Sequence, residues 1–592
     1  MSSDKPHADP KLNGKRYSGA DERKSGGVTY TPVVLAAFVA EQMLNAAALP
    51  ATGGIRILDP AVGHGALLHA LLYKLSPTER RRAEVVGYDT EEIAVDSAKR
   101  LLENAFPEVE IKLSRTDFLT SLVGSAAEDD LFSSLGPRQK FDLVIANPPY
   151  VRTQVMGGLR SQQIAKAFGL SGRVDLYYPF MLGIASALAD HGVAGIITSN
   201  RFMTTRSGQS VRRAVLEQFN IEHAWDLGDT KLFDAAVLPS VLLARKSVAE
   251  AELPINARFS SIYETNGIPD RNADSVLSAL EMVDESVVEV PDGRRFRVRH
   301  GALINGGNPE GTWRIGTEAN DRWLDTVADH TWATFRHIGK IRVGVKTTAD
   351  KVFIRSDWDE QPGGRPELVR SLITRHCARR FRAKTPDKRK NQKEILYPHE
   401  VVQGRRCAVD LADYPKSESY LAGHRDRLEA RTYVIEAGRK WYEIWVPQDP
   451  SSWGVPKLVF PDISDKPIFW IDTGGSVVNG DCYWLRCERE GDEDLLWLAL
   501  AVANSMFIES FYDNKFNNKL YAGRRRFITQ YVEQFPLPDP TLEETKKMVA
   551  LAKQIFSNTP SSEADMMAAD LDMKVWRAFG LEPKEVSGQG DL

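Results

Sequence analysis

From about Tyr30 to Ser247 the chain alternates short apolar runs with amphipathic stretches of helical period. The apolar runs predict strands at Ile55–Leu58, Glu84–Tyr88, Phe141–Ala146, Gly192–Ser199, His223–Leu227 and Ser240–Lys246, with a weaker one at Ile111–Leu113. The stretches between them predict helices at Pro32–Ala48, Ala66–Leu75, Glu91–Asn104, Leu176–Asp190 and Ser207–Gln218. Strands alternating with helices predict an α/β fold built on a doubly wound parallel sheet. Phe141–Ala146 is nearly all apolar, as expected of a strand covered on both faces. It ends at Asn147-Pro148-Pro149-Tyr150, because proline has no backbone N–H with which to continue a ladder.

Periodicity degrades after residue 250. A helix is expected at Asp274–Val283, and Asn305-Gly306-Gly307-Asn308-Pro309 reads as a loop. From about 331 to 540 the chain is richer in Trp, Tyr, Arg and Pro. Strands at Lys457–Phe460 and Pro467–Ile471, and helices at Glu493–Ser505 and Thr541–Phe556, predict a second domain of mixed α and β. The expected organisation is a disordered tail over 1–23, a first domain over 24–250, a connecting segment over 251–330, a second domain over 331–545, and a C-terminal helix and tail over 546–592.

Composition narrows the class. Hydrophobic residues are 42% and charged residues 26% of the 592, as in soluble globular proteins. The net charge of −4 means that any affinity for nucleic acid must come from local basic patches. Cys377, Cys407, Cys482 and Cys487 have no zinc-ligand spacing, so no metal site is expected, and they read as free thiols of a reducing cytosol. No apolar run reaches the ~18 residues of a membrane span, and Met1 to Lys15 lacks the apolar core of a signal peptide.

Candidate chemistry falls at the carboxyl ends of the predicted strands, where open α/β sheets place their ligands. Asp59-Pro60-Ala61-Val62-Gly63-His64-Gly65 is a glycine turn between strand and helix. Gly63 and Gly65 allow close approach to a ligand, and the helix that follows offers its N-terminus. The spacing Gly-x-Gly, without the third glycine, disfavours a dinucleotide. Asp89 ends the next strand, where a carboxylate can accept both hydroxyls of a ribose or, equally, cap the following helix. Asp117-Phe118 follows the third strand and can receive an adenine amine beneath a ring, or form a turn beside a core Phe. Asn147-Pro148-Pro149-Tyr150 follows the fourth, with an amide acceptor next to an aromatic face suited to a planar amine.

This order of motifs resembles the gamma-class, TaqI-type N6-adenine DNA methyltransferases. Gly26-Gly27-Val28-Thr29-Tyr30-Thr31-Pro32 matches the family's upstream cofactor motif. Val62 and His64 stand where the family more often has Cys and Ser. The resemblance implies a class I, Rossmann-like fold that uses S-adenosyl-L-methionine. It implies that Tyr30, Thr31, Pro32, Asp59, Ala61, Gly63 and Gly65 surround the methionine part of the cofactor, that Asp89 takes the ribose, and that Asp117 and Phe118 take the adenine, with Asn147 alongside. It also implies that Phe233 faces Tyr150 across the target base, with a simple core Phe as the alternative. Val174-Asp175-Leu176-Tyr177 resembles a further motif in which Asp175 caps a helix, and Ser199-Asn200-Arg201-Phe202 is expected to shape the pocket wall.

The expected reaction is methyl transfer from S-adenosylmethionine to the N6 amine of adenine. That amine is a poor nucleophile until its N–H groups are bound by fixed acceptors, here the Asn147 side-chain oxygen and the Pro148 carbonyl. A base inside a duplex must first be flipped out, and stacking on Tyr150 and Phe233 offsets part of that cost. Two clusters suit phosphate contact: Arg379 to Lys393, with Phe381 inside it, and Arg524-Arg525-Arg526. An ordinary solvated charged face is the alternative for each. Ile338 to Thr347, Leu396-Tyr397-Pro398, Pro456-Lys457-Leu458, Ala503-Asn504-Ser505 and Phe535-Pro536-Leu537-Pro538 are similar to landmarks of TaqI-type recognition domains.

The expectation is therefore a site-specific, adenine-specific DNA methyltransferase of a bacterial restriction-modification or phage-defence system. It would act on double-stranded DNA as a monomer or dimer, with a cognate restriction or defence protein as a further partner. Methylation of RNA, of a protein glutamine or of cytosine N4, and a non-catalytic DNA-binding subunit, remain open. A fused nuclease is disfavoured, since only about two dozen residues precede the cofactor motifs.

Overall fold

The computed structural model describes residues 31–123, 139–149, 168, 177–233, 238–247, 257–282, 284–489, 491–516 and 524–583. It divides into two compact units, 1–315 and 316–592.

In the first unit the chain runs α1 (Val33–Ala46), β1 (Ile55–Asp59), α2 (Ala66–Lys74), β2 (Ala83–Asp89), α3 (Glu92–Ala105), β3 (Glu110–Arg115), α4 (Phe118–Val123), β4 (Phe141–Ala146), α5 (Tyr177–Ala187), β5 (Leu188–Ser199), α6 (Gln209–Gln218), β6 (Phe219–Asp226) and β7 (Pro239–Lys246). Five further strands follow: β8 (Arg258–Glu264), β9 (Arg271–Asn272), β10 (Ser286–Glu289), β11 (Arg295–Ile304) and β12 (Arg314–Gly316), the last pairing with β11. They form one sheet in the order β3-β2-β1-β4-β5-β7-β6-β8-β11-β10-β9. The order reverses between β1 and β4, which leaves a crevice at the carboxyl ends of those two strands.

Strand β4 shows why the sheet is filled on both sides. Leu143 and Ile145 join a core built with α1, α2 and α3, while Val144 and Ala146 join a second core built with α4, α5 and α6. Successive side chains of a strand point to opposite faces, so a strand buried twice is apolar at nearly every position; in β4 the exception is the half-buried Asp142, which accepts the Arg56 N–H at 2.8 Å.

The sheet departs from the all-parallel expectation at β7, which lies antiparallel to both β5 and β6. Among the described residues no crossover helix separates β6 from β7, and β7 runs back beside β6. Residues 257–304, expected as a connector, instead extend the same sheet through β8, β10 and β11. Phe296 and Val298 of β11 are buried while Arg295 points outward, the alternation of a strand covered on one face.

The second unit has two cores. One packs Glu493–Ala503, Met506–Phe516, Glu543–Asn558 and Ser562–Ala578 against a sheet ordered Arg342–Val343, Cys482–Leu485, Lys457–Pro461, Trp470–Asp472, Phe381–Arg382. The other lies around Ile354–Arg355, Glu394–Leu396, Val369–Ile373 and Val477–Val478. Beyond residue 545 the chain belongs to the first of these cores, through Met548, Ala552, Leu571, Val575 and Trp576. Among the described residues no single helix is long and apolar enough to cross a membrane. All four cysteines are free thiols.

Arg525 ties this unit together. It is 5% exposed, donates through Nε to Asp513 at 2.7 Å and through Nη1 to the Asp465 carbonyl at 2.6 Å, and pairs with Glu509 at 2.9 Å. Arg526 pairs with Asp462 at 3.2 Å. Two of the three residues expected as a phosphate-binding cluster are therefore neutralised by acids of their own unit. Removing one partner of a buried pair strands the other charge. Arg525→Ala is expected to destabilise the second unit by about 3–5 kcal/mol, read as a lowered thermal transition.

Candidate active site

The parallel pairing of β1 with β4 brings two turns side by side. Ile57 lies opposite Leu143 and Leu58 opposite Val144, so the glycine turn after Asp59 and the Asn147-Pro148-Pro149 turn leave the same sheet edge. Asp59 is 0% exposed. Its Oδ1 accepts the Ala61 N–H at 3.0 Å, while Oδ2 has no hydrogen-bond partner among the described residues. Burial pushes the Asp59 carboxyl up to about 8, against the Ala61 N–H, which lowers it, and with the Asp89 charge, which raises it further.

Asp89 holds the turn from the neighbouring strand. Its Oδ2 accepts the Gly63 N–H at 2.9 Å and its Oδ1 accepts the Glu91 N–H at 3.0 Å, ahead of α3. Each oxygen keeps a further lone-pair direction, so this helix-start contact and a ribose contact are compatible. Gly63 has φ +50° with open space where a side chain would stand, which leaves its backbone accessible. Gly65 has φ +84°, and a Cβ there would come within 3.1 Å of Ala98 Cβ. Gly63 thus serves access, and Gly65 the close packing of α2 on α3.

Asn147 is half-buried at the end of β4, and its Nδ2 donates to Thr31 Oγ1 at 2.9 Å. Pro32 begins α1, and its carbonyl accepts the Ala36 N–H at 3.0 Å. Thr31, just ahead of this helix start, thus ties the Asn147 amide nitrogen to the chain that enters α1. Tyr30 and Tyr150 lie outside the described residues, as do 26–29 and 174–176.

Asp117 starts α4, accepting the Leu119 N–H at 3.0 Å and the Thr120 hydroxyl at 3.2 Å. Phe118 is 2% exposed, its ring 5.7 Å from Tyr88 and 5.8 Å from Phe180. Phe233 is 6% exposed and belongs to the core shared with Trp225 and Leu227. Phe202 is buried against Trp313, so of Ser199-Asn200-Arg201-Phe202 this ring serves the core.

A buried network at the ends of β5, β6 and β8 joins Asn200, of Ser199-Asn200-Arg201-Phe202, to residues that the sequence alone did not single out. Asp226 accepts from Asn200 Nδ2 at 2.9 Å, from the Tyr263 hydroxyl at 2.6 Å and from the Gly228 N–H at 3.1 Å. Asp229 accepts the Glu264 N–H at 2.8 Å. These bonds fix the start of the segment that leads to Phe233. Burial pushes the Asp226 carboxyl up to about 6, less than Asp59, because the hydrogen bonds from Tyr263, Asn200 and Gly228 oppose it. Among the described residues no group of three or more His, Cys, Asp or Glu side chains is placed to hold a metal ion.

Comparison with known proteins bears on the family and the fold. Residues 74–233 match the Eco57I restriction-modification methylase family, and residues 401–537 match the TaqI-like C-terminal specificity domain. The chain is 36% identical to the Type II methyltransferase M.BanIII of Aneurinibacillus aneurinilyticus, over 95% of this chain and 98% of that one. The chain belongs to the Type II restriction-modification methyltransferases. It is also 24% identical to the Type II methyltransferase M.PaeR7I of Pseudomonas aeruginosa, over 90% of this chain and 88% of that one. Its fold is similar to that of the Type IIL restriction-modification enzyme MmeI, solved in complex with DNA, with a TM-score of 0.56 at 14% identity, covering 90% of this chain and 71% of that one.

It is thus a DNA methyltransferase, and membership of this family implies S-adenosylmethionine as its cofactor. The residues present fit that group. The unpartnered, buried Oδ2 of Asp59 suits an ammonium, the open backbone at Gly63 suits a close ligand, and Asp89 has lone pairs to offer hydroxyls. The Asp226 network makes a separate prediction. Tyr263→Phe leaves Asp226 without its shortest donor and is expected to cost about 1–3 kcal/mol, seen as a lower melting temperature of the first unit.

Proposed function

We propose that this DNA methyltransferase modifies the N6 amine of an adenine flipped out of double-stranded DNA. The observation that carries the reading is the Asn147 amide, held by Thr31 at the carboxyl end of β4 and followed by two prolines. With its nitrogen committed to Thr31, the amide presents its oxygen as an acceptor for one N–H of the target amine. The Pro148 carbonyl accepts the other. Two fixed acceptors draw the amine nitrogen toward tetrahedral geometry and release its lone pair for attack. Such an arrangement needs no tuned general base; positioning and electrostatics supply the acceleration. The surplus proton leaves to solvent after transfer.

S-adenosylmethionine supplies an electrophilic methyl group on sulfur. Tyr30, Thr31, Pro32, Asp59, Ala61, Gly63 and Gly65 surround its methionine part, with the Asp59 carboxylate facing the ammonium. Asp89 accepts from the ribose hydroxyls, and Asp117 accepts the adenine amine. Phe118, whose ring is nearly enclosed, serves as the floor of that subsite more than as a lid. Tyr150 stacks on the target base, and Phe233, held by the segment that Asp226 anchors, closes the other side. Asn rather than Ser before the two prolines favours adenine over cytosine N4. The whole would operate in the cytosol of a bacterium, beside a cognate restriction or defence protein.

Asn147→Ala is expected to abolish methyl transfer in a tritiated-methyl assay while cofactor binding by calorimetry stays within about twofold. Turnover at the normal rate would refute the assignment. Sequencing that detects N6-methyladenine and N4-methylcytosine, run on DNA from cells expressing the chain, decides the base; methylation of RNA instead would favour that substrate.

The Asp59 carboxyl makes a pH prediction. It is protonated below about 8 in the free protein, and it must ionise to face an ammonium. Cofactor binding at pH 7 should therefore release a proton. Affinity should rise from pH 6 toward about 8, by up to about tenfold per unit, and fall again above, where the ligand's own α-ammonium deprotonates. Calorimetry in buffers of different ionisation enthalpy measures the release, and Asp59→Asn should remove it.

A further inference from the structure

Strands His399–Val402 and Arg405–Ala408 of the second unit form an isolated antiparallel hairpin, with Val402 opposite Arg405 and Val401 opposite Arg406. Only Gln403 and Gly404 join them, with φ +50° and +73°. Two successive positive φ values make a two-residue turn whose twist matches the strands it connects. The base of the hairpin is rigid. His399 is buried, and its Nε2 accepts the Ile444 N–H at 3.0 Å; Tyr397, just before, is buried and donates to the Pro447 carbonyl at 2.7 Å. The tip is the opposite. Every residue from 401 to 406 is exposed, on both faces of the ribbon.

The tip's composition is Val-Val-Gln-Gly-Arg-Arg, with two cations and no acid. Val401 is 39% and Val402 50% exposed, apolar β-branched side chains with no core to cover them. The side chains of Gln403 and Arg405 have no hydrogen-bond or ion-pair partner among the described residues, whereas Arg406 Nη1 donates to the Gln448 carbonyl at 3.4 Å. Arg370 adds a further charge beside the base, its guanidinium 5.4 Å over the Tyr397 ring. Arg525 and Arg526, by contrast, are spent on internal acids.

We propose that this hairpin is a base-reading element: its tip enters the major groove of the DNA substrate, with Gln403 and Arg405 on base edges and Arg406 and Arg370 toward the phosphates. The proposal rests on the reading of the chain as a DNA methyltransferase. The major groove, about 12 Å wide, admits a two-stranded ribbon. Gln pairs in bidentate fashion with adenine, Arg with guanine, and an apolar side chain meets the thymine methyl; the tip carries all three kinds. A rigid base under a solvated tip also lets the ribbon dock with little ordering cost.

The test uses the full-length chain expressed in cells, with modification-sensitive sequencing of the host DNA. Gln403→Asn keeps a turn-forming residue at positive φ and should leave the melting temperature unchanged, but it shortens the reaching amide. It and Arg405→Ala are each expected to leave the chain active and to relax one position of the methylated motif, with discrimination there falling about 10- to 100-fold. Calorimetric affinity for S-adenosylmethionine should not move. Variants that methylate the wild-type motif with unaltered selectivity would overturn the hairpin assignment, as would variants that change only the sedimentation of the protein, the mark of a contact between two copies. The wild-type chain separates the two readings: wild-type methylation with indifferent variants sinks the hairpin alone, whereas wild-type DNA left unmethylated sinks the methyltransferase reading and the hairpin with it.

Discussion

The parallel pairing of β1 with β4 is the constraint on which the site depends. These two strands lie at the centre of the sheet, where the strand order reverses, and their register sets the glycine turn and the Asn147 turn along one edge. Neither turn could hold its position without the burial of both strands on both faces. Ile57, Leu58, Leu143, Val144 and Ile145 are all fully buried, in cores formed by helices from opposite sides. The third piece, Thr31, lies just ahead of α1, a helix whose buried face joins the same core as Ile57, Leu143 and Ile145. One amide is thus oriented by a sheet and a helix together, and the hydrophobic effect that assembles them also sets the chemistry.

Two buried carboxylates on this sheet show how the fold separates support from function. Asp226 receives three hydrogen bonds, from a hydroxyl, a side-chain amide and a backbone N–H. Asp59 receives one and keeps an oxygen unpartnered. Burial costs both of them, but only Asp226 is compensated within the protein. Asp226 is a strut for the segment leading to Phe233. Asp59 is left with one buried oxygen that no described group of the protein satisfies.

A similar sorting applies to the arginines of the second unit. Charge density along the chain made Arg524-Arg525-Arg526 a natural candidate for phosphate contact, yet Arg525 and Arg526 are held by Asp513, Glu509 and Asp462. The motif landmarks of this unit are likewise joints of the fold. Asn504, between two helices, accepts the Phe469 N–H at 3.0 Å and donates to the Phe469 carbonyl at 2.9 Å, standing in for a neighbouring strand. Lys457 is fully buried and lies 2.6 Å from Asp472.

Local pattern by itself determined the alternation of strands and helices in the first unit, the bounds of β4, and the order of acids, glycines and Asn147 along one sheet edge. These follow from nearest-neighbour physics: apolar runs must be covered, glycine alone accepts the turn, and proline ends a ladder. Only the tertiary structure decided the antiparallel β7, the extension of the sheet through β8 and β11, the depth at which Phe118 and Phe233 lie, and the Asp226 network. Those depend on residues that meet across long stretches of chain, such as Asp226 with Tyr263 and Arg525 with Asp465. A sequence shows which side chains can carry charge or stack on a ring; burial and pairing, which decide whether they do, are set by whichever distant residue arrives beside them.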